Sequence, residues 1–136
     1  MPTGSGYSGT PLAKKIGIKP EHRVTLLNAP DGWAVPDLPD GVEFVEDVAM
    51  ADVVLAFFRE LAALTQAVPG FADGVAHTAM LWIAWPRRAA GHRSDIAEND
   101  LRGLLLPTGL VDVKVAALGE DWSGLKFVWR RELRGS

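Results

Sequence analysis

The amino-acid sequence predicts an α/β fold, a small three-layer sandwich with a mainly parallel sheet and a C-terminal β-hairpin that supplies one antiparallel strand. Three observations predict it. Two continuous apolar runs, "VVLAFF" at 53–58 and "AMLWIAW" at 79–85, suit strands covered on both faces. Segments of helical spacing alternate with these strands, and that alternation implies parallel pairing. The chain then changes to a period of two over its last segment, as a hairpin does.

The elements follow in order. Residues 1–9, rich in Gly and Ser, read as a flexible arm ahead of one domain over 10–136. Thr10 and Pro11 have the character of an N-cap and first helical residue, Leu12 and Ile16 share a face, and Gly17 marks the stop. "RVTLLNA" is a strand. "PDGWAVPDLPDG" carries three prolines and two glycines and cannot hold a helix of normal length. "VEFV" is a second strand, and Asp52 introduces the first buried run. "RELAALTQAV" places Leu61, Leu64 and Val68 at helical spacing, with Pro69 and Gly70 expected to end the helix. Asp95 and Glu98 have capping-box spacing ahead of a helix carrying Ile96, Leu101, Leu104 and Leu105, which stops before Pro107 and Gly109. In the tail, Val111, Val113 and Val115 alternate with Asp112 and Lys114, and Leu125, Phe127 and Trp129 alternate with Lys126 and Arg130. No internal repeat or long linker interrupts this order.

Composition narrows the function classes. The chain of 136 residues is 48% apolar and 23% charged, an ordinary globular balance. Fourteen basic against seventeen acidic side chains give a net charge of −3, with no global attraction to nucleic acid or anionic lipid. The absence of cysteine excludes disulfides, thiolate catalysis and cysteine metal sites. It also fits a reducing compartment. With no targeting segment and no apolar run long enough to span a bilayer, the expectation is a cytoplasmic protein.

Taken in order, "SGYSGTPLAKKIGI", "NAPDGW", "AWPRRA", "DIAEN" and "GLVDVKV…WSGLKFV" resemble a bacterial family defined as a domain of unknown function. That resemblance implies a fold but no activity. The strand pattern also resembles the class I methyltransferases that use S-adenosylmethionine. "HRVTLLNA" stands in the place of their first strand, "ADVVLAFF" their fourth and "AMLWIAWP" their fifth, with the hairpin as their reversed final strand. The resemblance implies a Rossmann-like, methyltransferase-like sheet ordered second, first, third, fourth, sixth, fifth, the sixth strand antiparallel. It departs from that family at the first turn, where an acid and clustered glycines give way to "LLNAPDGW", with Gly32 alone and Pro30 intruding. Proline removes an N–H and adds bulk where the backbone must approach a ligand. Glu46, beyond the second strand, stands where a ribose-binding acid would.

In such sheets ligands bind outside the carboxyl ends of the strands, at the switch in strand order. That edge is expected to gather Asn28 and Asp31, then Arg59, then Trp85, Arg87 and Arg88, with His92 and Arg93 extending the last loop. These are the candidate ligand-binding residues, the arginines as a clamp on a phosphate or carboxylate. The plainer reading pairs the arginines with Asp95 and Glu98 on a solvated loop, and has Asn28 bonding the backbone of its own turn. Glu98 as a general acid or base competes with its capping role.

No catalytic residue, metal site or cofactor is assigned. His22, His77 and His92 lack ligand spacing. Ser5, Ser8 and Ser123 lack a nucleophile context. "GSGYSG" follows no strand and is read as a mobile arm, with Tyr7 as an anchor over the crevice. Trp33 and Trp122 either cover the core or form a partner surface, including a homodimer. The expectation is thus a non-catalytic module binding a small anionic ligand or a protein partner, not nucleic acid or membrane. A transferase with an altered S-adenosylmethionine turn, or a structural oligomerising domain, are the alternatives.

Overall fold

The computed structural model describes residues 11–88 and 91–134. The expected arm over 1–9 lies outside them, as does Thr10. The first helix, α1, spans Leu12–Ile16. Pro11 is its N-cap residue, extended at ψ 147, rather than its first helical residue. Gly17 ends it in the left-handed conformation at φ 97, which glycine enters without a side-chain penalty.

The strand β1 (Arg23–Leu27) leads through a helix-free loop to the short β2 (Glu43–Phe44). Next come β3 (Val53–Phe57), α2 (Leu61–Gly74), β4 (Met80–Pro86), α3 (Glu98–Leu105), β5 (Leu110–Ala117), β6 (Trp122–Trp129) and α4 (Arg131–Arg134). The sheet is ordered β2-β1-β3-β4-β6-β5. The pairs among β1 to β4 are parallel, and β6 runs antiparallel to both its neighbours. This is the predicted order, and β6 is the one reversed strand.

Every residue of β3 is buried, and its alternation splits the core. Val54 and Ala56 face α2 and α3, where Leu64, Val68, Phe71, Leu101 and Leu105 pack. Val53, Leu55 and Phe57 face α1 together with Trp33 and Val35 of the long loop. Fully burying a side chain of this size contributes roughly 1.5–3 kcal/mol. The second layer is therefore thin: one five-residue helix and an extended segment stand where a longer helix would lie.

Three expectations fail on packing. Pro69 does not end α2, which runs on to Gly74. Phe71, edge-to-face with Phe58 at 6.2 Å, belongs to the core and holds the last turn down. Proline leaves the Thr65 carbonyl without its helical donor, and both residues lie on the exposed face where that loss is mild. The Asp95–Glu98 capping box is also absent. Ala97 is the N-cap of α3, and its N–H donates to the Asp100 carboxylate at 2.9 Å. Finally, β5 does not turn its valines inward: Val113 and Val115 are about half exposed, at 52% and 51%. A bulge between Asp112 and Lys114 shifts the register, and a bulge rotates the side chains that follow it.

Candidate functional site

A cleft of about 370 Å³ opens at the carboxyl ends of β1 and β3. The chain leaves β1 toward β2 on one side and returns to β3 on the other, so this is the switch in strand order. Its volume falls at the small end of the range for ligand sites.

The first strand brings Asn28 and Pro30 to the rim. Asn28 sits at φ 60, a conformation that Asn tolerates better than most side chains. It supplies the backbone turn that glycine would otherwise make, and keeps an amide at the edge of the cleft. Its side chain makes no hydrogen bond to its own turn, which is closed by Trp33 N–H donating to the Pro30 carbonyl at 3.0 Å. Gly32, at φ 79, faces open space where a Cβ would go, so its glycine serves the turn rather than a close approach.

The third strand brings Phe57, Phe58, Arg59 and Glu60, and the start of α2 adds Ala63. Trp122, the first residue of β6, forms the far wall. It is 5% exposed. The aromatic rings are locked edge-to-face, Trp33 on Phe57 at 4.8 Å and Phe57 on Trp122 at 5.0 Å. The Arg59 guanidinium lies over the Trp122 ring at 5.0 Å, an attraction between a cation and the negative face of the indole. None of the ion pairs among the described residues engages Arg59.

The N-terminus of α2, also at this edge, is already occupied. Leu61 N–H donates to the Asp95 carboxylate at 2.7 Å. Glu60, the N-cap residue, makes no capping bond and lines the cleft instead. One cation and one carboxylate therefore face the same space.

Of the sequence-predicted site residues, Asn28 and Arg59 meet at the cleft. The others do not line it. Asp31 is exposed in the turn beyond Pro30. Trp85 is 8% exposed and packs into the core beneath α2 and α3, because β4 turns it to that face. Arg87 donates to the Glu120 carbonyl at 3.2 Å, fastening the β4 exit to the hairpin turn. Arg88 is exposed at the following turn. His92 contacts Asp121 at 2.9 Å, and Glu98 pairs with Arg102 at 2.8 Å, so neither Asp95 nor Glu98 pairs with the loop arginines. Glu46 is exposed past β2 and is not among the lining residues. Trp33 and Trp122 are core-facing rather than a free surface: Trp33 donates its indole N–H to the Leu118 carbonyl at 3.3 Å.

The lining residues that were not among the predicted site residues are Pro30, Phe57, Phe58, Glu60, Ala63 and Trp122. The phenylalanine pair reads as core, and it is core, yet the end of a buried strand is also the floor of the switch-point cleft. That rule of topology was the available signal.

Among the described residues, no group of three or more His, Asp or Glu converges as a metal site would. No helix among them is long and apolar enough to cross a membrane.

Comparison with known proteins agrees with the sheet order. A SAM-dependent methyltransferase from Aquifex aeolicus superposes with a TM-score of 0.57 over 85% of this chain and 86% of its own, at 13% identity. Magnesium protoporphyrin IX methyltransferase from Synechocystis, solved with bound SAM, gives 0.56 over 88% and 74% at 10% identity. The fibrillarin pre-rRNA processing protein of Methanococcus jannaschii gives 0.55 over 87% and 73% at 12% identity. The fold is that of the class I methyltransferases. No family model and no curated protein matches the sequence.

Proposed function

We propose that this chain is a small-ligand-binding module on a methyltransferase-like fold, and that its cleft takes a compact molecule with a flat body, one anionic group and a hydrogen-bond donor. The observation that supports this reading most is Arg59, held over Trp122 at 5.0 Å and facing the cleft beside Glu60. The flat part of the ligand lies at the rim between Pro30 and Ala63, above the floor that Phe57 and Trp122 form, its carboxylate or phosphate meets Arg59, and its donor meets Glu60 or the Asn28 amide. No pair of groups in the cleft is arranged as nucleophile and base, so binding rather than turnover is the proposed role.

A second reading is favoured by the position of the cleft: a transferase whose S-adenosylmethionine site lies here with a rebuilt first turn. The ligand would still present a carboxylate, an amine and a flat base. Against it stand Pro30, which has no N–H to offer, and the single Gly32. The ordered resemblance from "SGYSG" to "SGLKFV" supports placing the chain in the bacterial family of unknown function. The absence of cysteine supports a cytoplasmic setting.

Isothermal titration with S-adenosylhomocysteine, adenine nucleotides and small amino and keto acids, on wild type and Arg59→Ala, tests both. Saturable binding that weakens about tenfold in Arg59→Ala is expected, the effect of losing a charged hydrogen bond. Binding of S-adenosylhomocysteine alone, with methyl transfer from S-adenosylmethionine to any acceptor, selects the transferase. No binding by any member to folded protein removes the ligand reading.

A further inference from the structure

The chain contains five lysines, Lys14, Lys15, Lys19, Lys114 and Lys126. Lys14 and Lys15 lie on α1 and Lys19 just past it, while Lys114 and Lys126 lie on the two hairpin strands. Lys114 and Lys126 stand directly opposite each other in the β5–β6 pair. Lys126 is in turn opposite Trp82 of β4, whose indole N–H donates to the Ile16 carbonyl at 2.9 Å. This row of the sheet therefore lies under the last turn of α1. Lys114 Nζ donates to the Lys15 carbonyl at 3.1 Å. Lys126 Nζ lies 3.6 Å from where a Cβ on Gly17 would sit.

These cations lack counter-charge. The four ion pairs among the described residues use arginine or histidine, never lysine. Residues outside the described set contain no Asp or Glu, so no acidic side chain from them answers the charge. Lys114 caps an α1 carbonyl, which explains one of its three N–H donors. Lys19 and Lys126 offer ammonium groups with no acceptor among the described residues. Like charges directly opposite on a sheet are destabilising. Partial burial, and after it Lys114 and Lys19, hold the Lys126 ammonium below the ordinary lysine range. An unneutralised cluster in a chain of net charge −3 is a local feature, since the composition does not require it.

We propose that the face formed by Lys19, Lys114 and Lys126 beneath the end of α1 binds a phosphate-type oxyanion. Ammonium donors carried on flexible stems suit a tetrahedral, multiply charged group better than a planar carboxylate, which arginine grips in a fixed fork. The site is separate from the cleft: Lys126 pairs near the amino end of β4, whereas the cleft opens at the carboxyl ends. Its chemistry suits a small free oxyanion such as inorganic pyrophosphate.

The test is titration of the full chain with inorganic pyrophosphate at low salt, followed by lysine side-chain NMR and calorimetry. Saturable shifts at Lys114 and Lys126, and binding weakened about tenfold in Lys126→Met and in Lys19→Gln, are expected. Parallel titrations with single-stranded RNA and with phosphatidylglycerol vesicles against phosphatidylcholine vesicles check the occupant: binding to either that is tighter than to pyrophosphate overturns a small free oxyanion as the ligand. Lys19→Gln, at an exposed position, keeps the test valid should Lys126→Met fold poorly. No saturable shift in any arm, or binding unchanged in the folded variants, overturns the proposal.

Discussion

Asp95 accepts a hydrogen bond from the backbone N–H of Leu61 at 2.7 Å, across thirty-four residues of sequence. It caps the helix behind the cleft rather than the helix it precedes. The loop that leaves β4 is thereby tied to the one that leaves β3, and Ser94 adds a second tie by donating to the Arg59 carbonyl at 3.1 Å. The orientation of Arg59 thus depends on residues far along the chain.

Removing this cap has two expected effects. Asp95→Ala lowers stability by about 1 kcal/mol, the usual cost of a lost N-cap. It also uncovers a helix N-terminus at the cleft, so anions bind there more tightly. Urea unfolding measures the first effect and chloride or phosphate titration the second.

Gly124 separates Ala84 and Ala116 on neighbouring strands, and this row of small residues leaves room for Leu118 and Trp82. A Cβ at Gly124 would come within 2.6 Å of Leu118 Cδ1 and 3.0 Å of Trp82 Cε3. Gly124→Ala is expected to destabilise by about 1–3 kcal/mol through overpacking. A double-mutant cycle with Leu118→Ala, in which Gly124→Ala costs less in the Leu118→Ala background than in the wild type, checks that the cause is steric.

Pro69 lies inside α2 on its exposed side. Pro69→Ala restores the Thr65 carbonyl's helical partner and removes the ring clash. A proline in a helix interior costs about 3 kcal/mol, part of which the entropy it removes from the unfolded chain offsets. A gain of about 1–2 kcal/mol is expected by thermal or chemical unfolding, and a loss would show that the ring packs usefully.

Arg102 clamps α3 to β5, donating to Asp112 at 2.9 Å and to Glu98 at 2.8 Å. Its hydrogen bond holds the Asp112 carboxyl below the ordinary value of 3.8. The unfolded chain takes up this proton at a higher pH than the native one, so the contribution is fully present above 3.8 and is lost as pH falls through the lower native value. Asp112→Asn should therefore unfold with a shallower dependence on pH in that acid range. Stability measured from neutral pH downward for both proteins tests this.

Much of the fold was legible because strand burial is written in composition. "VVLAFF" and "AMLWIAW" have no polar face, so they belong at the sheet centre, and the helix segments between them force parallel pairing. The reversed sixth strand was legible from the change of period. The site was only partly legible. Asn28 and Arg59 follow from the switch-point rule, but which face Trp85 takes depends on a strand's rotation, and a one-residue shift reverses it. The valines of β5 misled for that reason, since a bulge is set by tertiary fit rather than by alternation.

Local chemistry in the chain determined where apolar strands form, that Gly17 ends the first helix and that no helix fills the segment between Pro30 and Gly41. Those properties depend on neighbours in sequence, where sterics and periodicity act directly. Tertiary structure alone decided that Asp95 caps Leu61, that Pro69 stays helical and that Lys114 and Lys126 lie beneath the end of α1. Each is a contact between distant residues, and its sign depends on which surfaces burial brings together.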